Sequence, residues 1–316
     1  MCRLLFSFRN TSIKPLLADF LTQSTNTEKN TPKLHNHRDY TMHQDGFGIA
    51  WKTETAKDWA VYKQPHVYTK DPDLDAVIED IPNHLVIAHI RKQTHGDVSM
   101  ENTHPFHYQN QVFVQNGSIL DFETHTILLQ SYICHSFIHH IKGQTDSECL
   151  FFMLLSVIKY LQHRSTYVKK RNATRKKHSK SAFSKKQIDL YEDIIESFPF
   201  SSIEQESEYA LYIKAFHILI SIFKKYDIEI VMNIIYGGND IVLLSRYIYY
   251  NKSKYDEAQI PSSLYWNKCN THGDKGILIT SEPLFKYDSV LMPENTLTIV
   301  DYKKYELIIH TFARTP

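Results

Sequence analysis

The chain has 316 residues, 42% of them hydrophobic and 22% charged, which suits an ordinary globular protein with a sizeable core and excludes wholesale disorder. Lys and Arg number 36 against 35 Asp and Glu, so no overall field favours nucleic acid or a membrane surface, and any such preference has to be local. The four cysteines, Cys2, Cys134, Cys149 and Cys269, are far apart and form no C-x-x-C pair, which argues against a disulfide scaffold or a zinc ribbon and suits a reducing, cytoplasmic compartment. The first residues lack an apolar stretch after a basic start, so no signal peptide is expected, and the longest greasy run, 150–158, is too short to cross a bilayer.

The chain opens on Met1-Cys2-Arg3-Leu4-Leu5. The small side chain of Cys2 favours removal of Met1, after which one residue carries both a thiol and a free α-amine. An α-amine titrates at roughly 7.7 to 8.0 and can serve as the base for its own side chain. Taken alone, Cys2 is more simply read as a buried, incidental cysteine.

Residues 2–8 are rich in Leu and Phe and read as a buried strand, 12–22 as a short helix and 22–43 as a loop. His35 and His37 in that loop are spaced for metal, but no carboxylate or cysteine accompanies them and no metal site is assigned. Asp45-Gly46-Phe47-Gly48 begins a glycine-punctuated strand, where missing side chains let another backbone or a ligand come close. Residues 59–68 read as the next strand, 73–81 as a helix and 84–91 as a strongly apolar strand ending in Arg91. The aperiodic loop 92–106 holds Thr94-His95-Gly96 and Asn102-Thr103-His104-Pro105-Phe106, and sites concentrate on such loops.

Asn116-Gly117 stands between two apolar runs, the pattern of a tight hairpin turn joining strands 111–115 and 118–122. Residues 135–140 read as a helix whose His135, His139 and His140 form a solvated face. Thr145-Asp146-Ser147-Glu148 matches a capping box, with Thr145 at the N-cap and Glu148 closing on it, ahead of a helix over 149–161. From about 163 to 187 the chain is dense in Lys, Arg and small polar residues and reads as a basic, disordered insertion. A solvated loop is favoured over nucleic-acid binding for this stretch. Helices follow at 187–196 and 203–225, then strands 228–236 and 241–250 joined by a turn at 237–240. An antiparallel series at 277–280, 296–301 and 305–311 completes the chain, with a corner at 281–284.

Taken together and in this order, Met1-Cys2-Arg3, Asp45-Gly46-Phe47-Gly48, Ala88-His89-Ile90-Arg91 with Thr94-His95-Gly96, Asn102-Thr103-His104-Pro105-Phe106, Asn116-Gly117 and Thr145-Asp146-Ser147-Glu148 resemble the class II glutamine amidotransferases. These are N-terminal-nucleophile hydrolases. Ser281-Glu282-Pro283-Leu284 and the 261–265 segment are similar to the stand-alone branch, whose members include the glutathione-degrading amidotransferase-like subunit of fungi and the γ-glutamyl hydrolase of ergothioneine synthesis.

The resemblance implies an α/β (α+β) fold of four αββα layers, two packed antiparallel sheets between helices, in one domain over 2–316. It implies a small-molecule γ-glutamyl substrate, no metal and no organic cofactor. Cys2 would be the nucleophile, and Asn116 and Gly117 the oxyanion hole. Arg91 would take the substrate α-carboxylate and Asp146 its α-ammonium. Thr94, His95 and Gly96 would line the glutamyl pocket, with Asp45 and His104 behind it. Two departures stand out. Gln115 replaces a common histidine before Asn116, and Lys92 replaces the tryptophan of synthase-linked members.

The expected reaction is hydrolysis of a γ-glutamyl amide through a thioester on Cys2. Two rival readings are an ammonia-supplying subunit of a separate synthase and a catalytically silent protein that binds acidic partners through the basic insertion. A peptidase-like or synthase partner subunit is compatible with the enzymatic readings.

Overall fold

The computed structural model describes residues 2–9, 12–24, 43–53, 56–68, 72–80, 85–172, 182–199, 209–255, 262–271, 274–284, 288–302, 304 and 306–312. Met1, His35, His37 and the centre of the basic stretch, 173–181, lie outside them. The elements in chain order are β1 (Arg3–Arg9), α1 (Lys14–Leu21), β2 (Phe47–Lys52), β3 (Ala60–Gln64), α2 (Pro72–Asp80), β4 (Leu85–Ile90), β5 (Phe106–Tyr108) and β6 (Gln111–Ile119). There follow α3 (Phe122–Gln130), α4 (His135–Ile138), α5 (Asp146–Asn172), α6 (Lys185–Ser197) and α7 (Ala210–Lys225). Next come β7 (Ile230–Gly237), β8 (Ile241–Tyr249), β9 (Tyr265–Thr271), β10 (Asp274–Thr280), β11 (Val290–Leu291), β12 (Thr296–Asp301) and β13 (Glu306–Thr311).

Two compact units divide these elements, one of Met1–Ser118, Val231–Ile248 and Lys252–Pro316, the other of Ile119–Ile230 with Tyr249–Asn251. The first unit holds a seven-stranded sheet in the order β11-β9-β10-β1-β4-β2-β3 and a six-stranded sheet in the order β13-β12-β8-β7-β6-β5. β1 is central, antiparallel to β10 on one side and β4 on the other, with Arg3 opposite Ile90.

Both faces of β1 are buried, which explains a near-continuous apolar sequence instead of a clean alternation. Leu4, Phe6 and Phe8 join Leu85 and Ile87 of β4, Val112 and Val114 of β6, and Val242 and Leu244 of β8 in the layer between the sheets. Leu5 joins Val86, Ala88 and Ile90, together with Leu16, Leu17 and Phe20 of α1 and Leu74 and Ile78 of α2, on the outer face. Each of these large side chains contributes about 1.5–3 kcal/mol by leaving water.

The second unit is helical. α5 packs against α7, α6 and α3, and the face it shares with α6 is aromatic, with Tyr160 stacked on Tyr191 at 4.5 Å between ring centroids. α6 begins with a capping box in which the Ser184 side chain accepts from Gln187 N while Gln187 closes back on Ser184. α7 is apolar nearly all round and ends in Lys224 and Lys225, cations that complement the negative end of its dipole.

Several expectations need correcting. Asn116-Gly117 is not a hairpin turn, because both residues run inside β6. The glycine has a strand reason instead: a Cβ at Gly117 would lie 1.9 Å from the Val231 carbonyl of β7, so only glycine permits that approach. The segment after it begins α3, where a second hairpin strand was expected. α5 does not stop at Leu161 but continues to Asn172, and α6 already begins at Lys185, so only the middle of the expected insertion lies outside regular structure or description. The helix expected over 135–140 is the single turn α4. β5 and β9 were not foreseen. The turn at 237–240 does join β7 to β8, with Gly238 N donating to Ile241 O at 2.9 Å.

Candidate active site

Alternation along three strands brings the candidate residues to one end of the layer between the sheets. In β1 the inward residues are Leu4, Phe6 and Phe8, so Cys2 continues that face. In β4, Leu85 and Ile87 point inward and are followed on the same side by His89 and Arg91. In β6, Val112 and Val114 are followed by Asn116.

Cys2 is half-buried, and its Sγ lies between two backbone groups of Lys92, accepting from Lys92 N at 3.3 Å and donating to Lys92 O at 3.5 Å. Burial pushes the thiol above its usual pKa, against the opposing pull of the amino-terminal charge, then of the Lys92 N–H, Arg91 and Arg3. With Met1 attached, the environment therefore favours a protonated sulfur.

Asn116 is wholly buried, yet neither its Oδ1 nor its Nδ2 has a hydrogen-bond partner among the described residues. A buried amide left open in this way costs about 1–3 kcal/mol, so it calls for an explanation. The strand that carries it is held from both sides: His89 Nε2 reaches across the sheets to Gln115 O at 3.1 Å, and Gln115 Nε2 donates to Val231 O at 3.2 Å. Because a carbonyl only accepts, Nε2 of His89 carries the proton. Its Nδ1 is then a bare acceptor, buried and without a partner among the described residues.

The His104 ring lies against that of His89, tilted by 34° with centroids 4.1 Å apart, and both of its ring nitrogens are also unpartnered among the described residues. Gly48, which sits beside His89 in the β2–β4 register, makes room for this segment, since a Cβ there would lie 2.2 Å from His104 O. Burial lowers the pKa of His89 to about 3, and burial with the neighbouring His89 and Arg91 lowers that of His104 well below the usual value. Both rings are neutral over the ordinary pH range.

Arg91 is 3% exposed and fastens the loop that follows it. Nη1 donates to Asp97 O at 3.1 Å and to Asp45 O at 3.5 Å, while Nη2 donates to His95 O at 3.0 Å and Gly96 O at 3.4 Å. Asp45 Oδ2 accepts from Gln93 N at 2.7 Å, and Gln93 Nε2 donates to Gly96 O at 2.7 Å. Gly96 has φ +68, and a Cβ on it would lie 2.8 Å from Asn102 Nδ2, which itself donates to Asp97 O at 3.0 Å. Thr94 is exposed on this loop and His95 half-buried.

Asp146 lies in the second unit, in the first turn of α5. It is 3% exposed, and its Oδ2 accepts from Ile119 N at 2.8 Å while Oδ1 accepts from Ser147 N at 2.8 Å. Thr145 Oγ1 accepts from Glu148 N at 3.2 Å, the first half of the expected capping box. The Glu148 carboxylate accepts from Lys142 N at 2.9 Å and Gly143 N at 2.7 Å, so it orders the turn before the helix.

Sequence reasoning had quoted His89 and Asn102 without giving them work, and had missed Gln93 altogether. For His89 the signal was available, since a histidine in the middle of an otherwise apolar inward face has to reach a partner. For Gln93 and Asn102 it was not, because their partners are loop carbonyls.

Two packed antiparallel sheets with helices make this an α+β protein of the N-terminal-nucleophile glutamine amidotransferase fold. A class-II domain protein from Silicibacter pomeroyi aligns with 99% of this chain and 100% of its own at TM-score 0.53 and 17% identity. Glutamine phosphoribosylpyrophosphate amidotransferase from B. subtilis aligns with 100% of this chain and 50% of its own at TM-score 0.51 and 11% identity. Residues 31–181 match the class-II glutamine amidotransferase family. The probable glutamine amidotransferase DUG3 of Saccharomyces cerevisiae is 32% identical over 165 residues, half of this chain and 46% of the yeast protein, so the match spans under half of that relative. Over 31–181 this chain is thus similar to the class-II glutamine amidotransferases.

Proposed function

We propose that this protein hydrolyses a γ-glutamyl amide bond through a thioester on Cys2 and releases glutamate. The observation that carries this reading is the open Asn116 amide, buried on the same inward face as Cys2 and beside Gly117. A buried donor with nothing to bind has a use where negative charge develops on a carbonyl oxygen.

In this mechanism Met1 is removed, and the freed α-amine of Cys2 takes the thiol proton. That route suits a sulfur whose surroundings keep it protonated. The thiolate attacks the γ-carbonyl. Asn116 Nδ2–H and the Gly117 N–H receive the oxyanion, the amine leaves with a proton, and water then cleaves the thioester. Arg91 takes the substrate α-carboxylate, Asp146 its α-ammonium, and Thr94, His95 and Gly96 line the glutamyl pocket, with His104 and Asp45 supporting it. Residues 2–316 act as one amidotransferase domain, in a cytoplasmic setting that keeps the thiol reduced. Among the described residues no helix is long and apolar enough to cross a membrane.

The test is glutamate release from glutamine, glutathione and a chromogenic γ-glutamyl amide by protein whose intact mass lacks Met1, beside Cys2→Ala. Release that disappears in Cys2→Ala is expected. Faster cleavage of glutathione than of glutamine would place the protein in the glutathione-like branch. The relative's name, amidotransferase, favours a second reading in which a separate synthase uses the ammonia, and a co-purified partner that couples glutamine use to an aminated product would establish it.

A further inference from the structure

A nucleophile on the first residue of a chain has a mechanical difficulty, because a terminus is tethered on one side only and frays unless something ties it down. Here one corner, residues 281–284 after β10, grips β1 next to that residue. Leu4 N donates to Ser281 Oγ at 2.5 Å, and Ser281 N donates to Leu4 O at 3.0 Å. One residue nearer the terminus, Arg3 Nη2 meets Glu282 Oε1 at 2.7 Å, while Arg3 Nη1 donates to the carbonyl of Cys2 itself at 3.4 Å. Arg3 is 1% exposed and Glu282 4%.

A buried ion pair is a poor choice for stability alone. Desolvating both charges offsets most of their attraction, and apolar side chains of similar volume are often as stable or more so. An apolar pair cannot, however, donate to the Cys2 carbonyl or fix the register of the strand. Two independent contacts, one on the Leu4 backbone and one on the Cys2 carbonyl, converge on the residue that bears the sulfur. Given the thioester reading above, we propose that Ser281, Glu282 and Arg3 are positioning residues that hold the Cys2 backbone for attack, with Glu282 acting through Arg3 and none of the three touching substrate.

Protein that has lost Met1 is compared as wild type, Glu282→Gln, Ser281→Ala and the double variant Arg3→Met/Glu282→Met. The readouts are kcat and KM for a chromogenic γ-glutamyl amide, Tm, and hydrogen exchange of the peptide beginning at Cys2. Misplacement of a reacting atom by about 1 Å can lower a rate roughly 10²-fold, so Glu282→Gln is expected to lower kcat about tenfold or more with KM nearly unchanged. Exchange at residues 2–8 should accelerate in the same variant, and Ser281→Ala should act in the same direction without burying a lone charge.

The double variant separates positioning from stability. It is expected to regain the wild-type Tm while kcat stays low and the terminal amides exchange fast. Recovery of kcat together with Tm, or Glu282→Gln protein with wild-type kcat and wild-type terminal exchange, overturns the proposal. Wild-type protein that cleaves no γ-glutamyl compound would count against the thioester reading, and the exchange data would still decide the clamp.

Discussion

Two buried polar clusters, one in each unit, differ in a way that separates structure from chemistry. In the helical unit, Glu192 accepts from Tyr160 Oη at 2.5 Å and from Arg164 Nε and Nη2, each at 2.7 Å. Beside it Gln187 Nε2 donates to Ile133 O at 2.6 Å, and Tyr191 Oη donates to Tyr132 O at 2.5 Å. In the sheet unit, Asn116, one nitrogen of His89, both of His104 and Gln115 Oε1 have no hydrogen-bond partner among the described residues. The first cluster is complete as it stands and holds helices together. In the second, Asn116 and His89 lie on the inward face that ends at Cys2, where a substrate or water would complete them.

The contrast can be broken or sharpened by experiment, from the largest effect to the smallest. Asn116→Ala removes an open donor, so kcat should fall by about 10² to 10³ while Tm stays or rises. A lower Tm with unaltered kcat would make Asn116 a structural residue. Glu192→Leu does the opposite, because it strands the buried Tyr160 hydroxyl, while water takes over the part-exposed Arg164 guanidinium. Stability should drop by about 1–3 kcal/mol in denaturant melts, with kcat of the folded protein unchanged.

The buried imidazoles give a pH signature of their own. Burial depresses the pKa of His89 to about 3 and that of His104 well below its usual value, so the folded protein leaves both neutral where the unfolded chain takes up protons. Their contribution to stability is complete above the unfolded value of about 6.5 and is lost as pH falls from there. For His89 alone the loss should reach roughly 2 kcal/mol by pH 5. Melts at pH 7 and pH 5 measure it, and His89→Asn should shrink the difference by that amount. An unchanged difference in the variant would mean that His89 titrates normally.

How much of this was legible beforehand follows from what each residue depends on. The Leu- and Phe-rich start of the chain, the apolar strand before Arg91 and the helix behind Thr145 depend on neighbours in sequence, and the structure has all three. Asn116-Gly117 was misread locally, because the same pair that favours a tight turn also suits a strand whose neighbour needs the missing Cβ. Which of the two applies is decided by Val231, far along the chain. The same holds for His89 on Gln115 O and for Glu282 under Arg3. Each is a long-range contact made by residues whose local patterns are unremarkable. The helical ends of the basic stretch were missed because a charged, Ser-rich run resembles a loop in composition even where α5 continues through it.

The most direct test of the central claim is to trap the intermediate. Protein lacking Met1 is mixed with a γ-glutamyl substrate, quenched in acid and digested, and the Cys2 peptide is weighed. The thioester account requires a mass gain of one glutamyl group on Cys2 that appears within the first turnover and is larger in protein slowed at the hydrolytic step. Glutamate release with no adduct on Cys2, or an adduct on Cys134 or Cys149 instead, would contradict it.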